Sequence, residues 1–329
     1  MTSIRDVAKH AGVAISTVSK VVNNYPGVSQ ETKEKVNKAI EELDFVPNAV
    51  AAALSSKQAG RIALIVSLNK VTKAIDEINM QYISGAINQA QQLGLDVITL
   101  FTSMLEDKST DEIIRYLKAQ NIAGLVIFGI SKTKKKLHGI INSGAFKTVV
   151  VDAPFYNAHT SSVWIDNKQA QYDIVEKTLK YDKCDSILYI AGEKQSYVMD
   201  ERLAGMEELV KEHNISMLVK YGDFSELKAR EITMKHAQKR GMVVCASDLM
   251  AIGAMKALID MDIFRPVCGF DGITLMGYVG MQMNTVKQNF ARIGSEAVTE
   301  CGRLLSGETG RNIKLDYELV RMRYEDIIR

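Results

Sequence analysis

No apolar run in this sequence approaches the ~18 residues of a membrane-spanning helix, and the N-terminus lacks a signal-peptide pattern. The expectation is a cytoplasmic chain with no membrane partner. Cysteines are few and scattered: Cys184, Cys245, Cys268 and Cys301 form no CxxC pair and no metal-ligand spacing, so reduced core thiols and no metal are expected. Also absent are a Gly-rich phosphate loop, an HExxH helix, a nucleophile elbow and a Cys/His pairing. An enzyme reading is left with little support, and no cofactor is expected. Net charge is nearly absent as well: 41 Lys and Arg stand against 39 Asp and Glu, a formal +2, so any affinity for nucleic acid must come from local clustering. Apolar residues at 47% and charged ones at 24% are ordinary for a globular protein, and 329 residues suffice for a small domain plus a two-lobed body.

What is present begins at residues 4–24, IRDVAKHAGVAISTVSKVVNN. Ser3 with Asp6 three residues on makes a capping-box pair, so a helix is predicted from Ile4. Val7, Ala8 and Ala11 share one face, and Gly12 can end the helix in a sharp turn. A second helix is predicted over residues 15–22, with Val18, Val21 and Val22 as its apolar stripe. Its other side carries Ile15, Ser16, Thr17, Ser19 and Lys20. Two short helices around a Gly-containing turn make a helix-turn-helix, whose second helix can lie in a DNA major groove. On periodicity alone, a helical hairpin packed against some other element fits equally well. Ser29 then caps a third helix to about residue 44, with Val36, Ile40 and Leu43 at helical spacing. In the first forty residues Arg5, Lys9, Lys20, Lys33, Lys35 and Lys38 face only Asp6, Glu31 and Glu34, a modestly basic headpiece. PNAVAAAL (47–54) follows: an Asn cap and an alanine-rich helix too short to be stable alone.

The remainder alternates. Apolar runs at 62–66, 96–101, 124–128, 148–151, 186–191, 243–246 and 267–270 read as buried parallel strands. Helical patterns at 82–93, 110–120, 169–181, 202–212, 227–239 and 249–261 lie between them. This is the pattern of an α/β body with parallel sheets. A break at 154–162 divides it into two doubly wound lobes, about 61–160 and 163–284. The lysine run 132–136, KTKKK, reads as a solvated loop or helix start rather than a second DNA site.

DVAKHAGVAISTVSKVVNN, VSQETKEKV and PNAVAAAL, in that order, resemble the headpiece and hinge of the lactose-repressor/galactose-repressor family of bacterial transcription regulators. The resemblance implies a small all-α headpiece (1–46), a hinge (47–60) and a periplasmic-binding-protein-like body (61–329) whose last segments cross back between the lobes. It implies an operator in double-stranded DNA, near-palindromic because a homodimer reads two half-sites; a tetramer stays open. Base reading would fall to Ile15, Ser16 and Lys20, with Thr17 and Ser19 beside them. Family members commonly carry arginine at the position of Lys20, so a softer guanine preference is expected. In the hinge, Asn48 would cap, Ala51 would keep the helix slim, and Leu54 would wedge in the minor groove.

The same resemblance implies a small-molecule effector in a cleft between the lobes, a sugar or related metabolite, placed at the carboxyl ends of the strands. Arg202 in DERLAGM, Phe224 in YGDFSE and Asp248 in ASDLMAIGAM match family ligand positions, with Asp152 ending TVVVD and Tyr82 as further candidates. By residue type alone, a lone arginine is usually a surface ion pair, a phenylalanine core, and a strand-end aspartate a helix cap. The sequence departs from the family at several points. IDEINMQY replaces an aromatic cleft segment; Ala14 replaces a capping serine; Gly272 replaces a second aspartate in GFDG; and Asn289 stands where many members have proline. These departures keep open a body that answers to a protein corepressor, such as a phosphorylated carrier protein.

Overall fold

The computed structural model describes residues 3–22, 26–45, 60–68, 76–279 and 281–323. The chain divides into two compact units, Met1–Ala59 and Gly60–Arg329. The hinge residues Asn48, Ala51 and Leu54 lie outside the described residues. No helix among the described residues is long and apolar enough to cross a membrane.

The first unit holds α1 (Ile4–Ala11), α2 (Ile15–Val22) and α3 (Gln30–Glu42). The backbone N–H and the hydroxyl of Ser3 both donate to Asp6 Oδ2, at 2.8 and 2.7 Å, holding the carboxyl of Asp6 below its ordinary range. Gly12 ends α1 with φ +68°, a left-handed geometry that a side chain would strain. Ser29 accepts from Thr32 N at 3.3 Å and starts α3. Val7, Ala8, Val18, Val21, Val36 and Ala39 form the core of this unit. Such a small core fixes three helices only because each contributes its short apolar stripe to the same point.

The second unit begins with β1 (Arg61–Val66), α4 (Glu77–Gln92), β2 (Val97–Phe101), α5 (Thr110–Ala119), β3 (Ile122–Phe128), α6 (Lys135–Ser143), β4 (Lys147–Val151) and β5 (Thr160–Ile165). It continues through α7 (Asn167–Leu179), β6 (Ser186–Ala191), α8 (Tyr197–Glu212), β7 (Ser216–Tyr221), α9 (Glu226–His236), β8 (Met242–Cys245), α10 (Asp248–Asp260), β9 (Val267–Cys268) and β10 (Met283–Lys287). The last elements are α11 (Phe290–Leu305), β11 (Asn312–Leu315) and β12 (Glu318–Met322). One sheet has the order β11-β5-β4-β3-β1-β2, and the other β12-β10-β9-β8-β6-β7. All pairs are parallel except β10 with β12.

The chain passes between sheets after β5, after β10 and after β11, so the expected crossings are present. The break placed at residues 154–162 falls early: β5 still belongs to the first sheet, and the crossing follows Ile165. In β1, Ile62, Leu64 and Val66 enter one core while Ala63 and Ile65 enter another. Burial on both faces is why the strand reads as a continuous apolar run. The KTKKK run is a helix start, with Lys134 preceding the first residue of α6.

Glycines set the helix packing where α4 crosses α11. A Cβ on Gly85 would lie 1.9 Å from Ala291 O, and one on Gly294 would lie 2.3 Å from Tyr82 O. Only glycine allows the two backbones this close, and the approach carries Tyr82 and Phe290 to the same place. Their rings meet edge to face at 5.2 Å, and Tyr82 stacks on Phe128 at 4.7 Å.

Candidate functional site

Two sites emerge, one in each unit. In the first, α2 turns Val18 and Val21 into the core and leaves Ile15, Ser16 and Lys20 exposed, with Thr17 and Ser19 half-buried beside them. Ile15 is 46% exposed, an apolar side chain presented to solvent beside polar and cationic ones. That mixture suits base edges, where thymine offers a methyl and guanine two acceptors. Ala14 brings no hydroxyl to the start of α2; its carbonyl accepts from Thr17 N at 2.9 Å and from Val18 N at 3.2 Å. Lys35 and Lys38 on α3 pair with Glu31 and Glu42 at 2.8 and 3.8 Å. Such exposed pairs are weak enough to yield to a phosphate.

The second site is a cleft of about 580 Å³ between the two lobes of the body, lined from both. It lies at the carboxyl ends of β1, β3, β4, β6 and β8, where open α/β sheets bind ligands. Arg202, on α8, is only 4% exposed, not a surface residue. Its Nε donates to Asn167 Oδ1 at 2.9 Å and its Nη1 to Ala246 O at 2.5 Å, with Asp271 Oδ1 at 3.7 Å. Its guanidinium lies 3.6 Å from the centroid of the Phe270 ring. Arg202 therefore borders the cavity while joining three segments of its own lobe.

Phe224 also lines the cavity, on a strained backbone: it and Asp223 have φ of +55° and +53°. Its ring packs where a Cβ on Gly192 would stand 2.2 Å away, so Gly192 is small to admit it. Asp152 lines the opposite wall at the end of β4, accepting from the Tyr82 hydroxyl at 3.4 Å. Burial pushes its carboxyl up to about 6, against the pull of Arg202. The folded state thus binds this proton more tightly than the unfolded chain, so stability falls as pH rises from 3.8 towards 6. Asp152→Asn should raise body stability by up to about 3 kcal/mol at pH 7 and by nothing below pH 3, as read by urea unfolding.

Asp248 is corrected by the structure. It is fully buried and does not border the cavity. Its Oδ1 accepts from Thr285 Oγ1 at 2.6 Å, and its Oδ2 from Gly272 N and Ile273 N at 2.7 and 2.9 Å. Beyond β8, where Ser247 caps α10, Ser247 and Leu249 line the cavity while Asp248, the first residue of the helix, accepts from the Gly272–Ile273 backbone behind it. The departure at Gly272 has the same origin. Its φ is +79° and a Cβ there would meet Lys287 Cα at 2.6 Å, so a second aspartate has no room.

Asp271 and Gln288 are among the cavity residues that lacked a sequence prediction. Asp271, 7% exposed, accepts from Gln288 Nε2 at 3.2 Å and faces Arg202. Burial, with Asp248 close by, raises its carboxyl while Arg202 opposes. Gln288 follows β10 and is 4% exposed. The signal for both was their place just beyond a strand end. Residues 76–81 of the IDEINMQY stretch build a polar wall beside Tyr82. Asp76 accepts from Asn79 N at 3.1 Å, and Glu77 crosses the cleft to accept from Thr274 N and Oγ1 at 2.9 and 2.7 Å. On another side the lobes meet through Lys132 with Asp200, and Lys132 N with Gln195 O at 2.8 Å.

Comparison with known proteins covers both units of the chain. The family profile "Bacterial regulatory proteins, lacI family" matches residues 3–48, and "Periplasmic binding proteins and sugar binding domain of LacI family" matches residues 74–293. The HTH-type transcriptional regulator RegA of Clostridium saccharobutylicum is 30% identical over 336 residues, 97% of this chain and 98% of its own. AscG of Escherichia coli (strain K12), also an HTH-type transcriptional regulator, is 28% identical over 315 residues, 93% of this chain and 91% of its own. Among solved structures, the lac repressor dimer bound to operator and the anti-inducer ONPF matches with a TM-score of 0.80 and 25% identity, over 98% of this chain and 99% of that one. The chain belongs to the LacI family of bacterial regulatory proteins: it is a DNA-binding transcriptional regulator with a periplasmic-binding-protein-like body.

Proposed function

We propose that this protein is a repressor that binds a near-palindromic operator as a homodimer and is controlled by a small polar molecule in the body cleft. The observation that carries the reading is the cleft itself: a cavity of about 580 Å³ between two lobes that three chain crossings connect, with the buried Arg202 beside the carboxyls of Asp152 and Asp271 on its wall. A ligand bridging the lobes favours whichever lobe spacing suits it, and it can shift DNA affinity only by its differential affinity for the two arrangements. The family's sugar-binding body and the polar cleft wall support a sugar or related metabolite.

At the DNA end, Ile15, Ser16 and Lys20 read bases, and Thr17 and Ser19 support them. Asn48, Ala51 and Leu54 serve the minor-groove contact of the hinge. Lysine reaches guanine O6 and N7 as a flexible point charge. Lys20→Ala should lower operator affinity by about 1–3 kcal/mol, roughly 5- to 150-fold, and relax discrimination at one base pair of each half-site. Fluorescence anisotropy on operators substituted base by base measures this. A uniform loss on operator and random DNA alike would make Lys20 a phosphate contact and contradict the base-reading role.

A further inference from the structure

The polar groups of the cleft do not balance. On its buried inner wall the side-chain donors have partners: Tyr82 donates to Asp152, Asn79 to Asp76 and Ser67 O, and Gln288 to Asp271, while Lys134 and Ser196 line the cavity farther out, half-buried. The buried atoms left over are acceptors. Gln288, 4% exposed, has an Oε1 with no partner, and Asp152 has an Oδ1 with none. Charge is uneven in the same sense. Asp152 and Asp271 both face the cavity beside one guanidinium, Arg202, whose Nε and Nη1 already bond to Asn167 and Ala246.

A hydroxyl brings one donor and two lone pairs, so a neutral polyol would add acceptors to a wall that already has too many. An ammonium brings three donors, no acceptor and the missing positive charge. We propose that the effector carries a protonated amine on a polyhydroxyl frame, an amino sugar or a molecule of that chemistry, with the ammonium facing Asp152 and Asp271. This rests on the reading of the cleft as a small-molecule site. Burial pushes the Asp152 carboxyl only to about 6, so it is ionised at pH 7.5 when the amine arrives; burial beside Asp248 raises Asp271 further, so Asp152 is the charge that the ammonium meets and Asp271 ionises as the ammonium settles.

The test is calorimetric titration of the full-length protein at pH 7.5 with matched sugars: glucose, galactose and mannose, their 2-amino forms, and the N-acetyl derivatives that keep the frame but remove the charge. One amine should bind at least tenfold more tightly than its neutral and acetylated counterparts. Asp152→Asn, which keeps shape and removes charge, should abolish most of that preference. A neutral sugar that binds as tightly as its amine overturns the inference and leaves the cleft reading intact. Failure of every amine to bind also overturns it. In that case the low-molecular-mass fraction of a cell extract decides the underlying reading: a shift in operator affinity preserves it, and no shift removes it.

Discussion

Arg202→Ala should lower the stability of the body by about 3–5 kcal/mol and abolish the effector response, while non-specific DNA binding stays unchanged. The magnitude follows from what is abandoned. Asp271 would lose its cation while 7% exposed, and Asn167 Oδ1 and Ala246 O would lose their donors. Asp271, whose carboxyl burial already raises, would take up a proton, so the cost falls mainly on the two buried acceptors left without donors and on the space that the side chain filled. For a body of this size the change corresponds to a Tm roughly 10 °C lower by calorimetry. The headpiece has its own core, built from Val7, Val18 and Val36 among others, so its affinity for random DNA is the internal control. A stable variant with normal effector response would show that Arg202 is an accessory to the cleft rather than its keystone.

Gly294→Ala comes next in expected effect. The added Cβ would stand 2.3 Å from Tyr82 O and 3.2 Å from Ala86 N, both backbone atoms that no rotamer change can move. The two helices must separate, at a cost of about 1–3 kcal/mol for overpacking. Separation also pulls Phe290 from Tyr82, and with them the wall that presents Asp152. Ligand affinity should therefore fall by more than tenfold even where the protein remains folded. Gly302→Ala, on the same helix, meets nothing nearer than Leu93 Cδ1 at 3.4 Å and should change little. Equal behaviour of the two variants would remove the close helix crossing from the account.

The sequence made the strand–helix alternation legible because most strands are buried on both faces. Residues 186–191 were predicted as a strand and are one, Ser186–Ala191. The segments it hid have physical reasons. β5, TSSVWI, is buried but begins with hydroxyls, which an apolar-run criterion rejects. Inside the fold Ser161 donates to Glu300 at 2.7 Å and Ser162 to Ala153 O at 2.7 Å, so the polarity is satisfied by partners remote in sequence. β7, Ser216–Tyr221, lies at a sheet edge and is largely half-buried, so its apolar stretch, Met217-Leu218-Val219, is short and flanked by polar residues.

The cleft was legible in part. Arg202, Phe224, Asp152 and Tyr82 line it, as the family resemblance implied. Asp248 does not, because motif matching fixes a position in the chain but not the direction of a side chain at a strand end. Asp271 and Gln288 become visible only once β9 and β10 are adjacent, since what marks them is a hydrogen bond between segments 17 residues apart. Asn289, where proline is common in the family, has a local explanation: its Oδ1 accepts from Arg292 N at 2.9 Å and caps α11.

The central claim is that occupancy of the cleft sets affinity for operator DNA. The most direct measurement is operator affinity, by fluorescence anisotropy at about physiological salt, with and without a ligand shown calorimetrically to bind the body. The account predicts a change of about tenfold or more in the protein as it stands, and none in the Arg202→Ala variant. Saturation of the cleft with no change in operator affinity would contradict it.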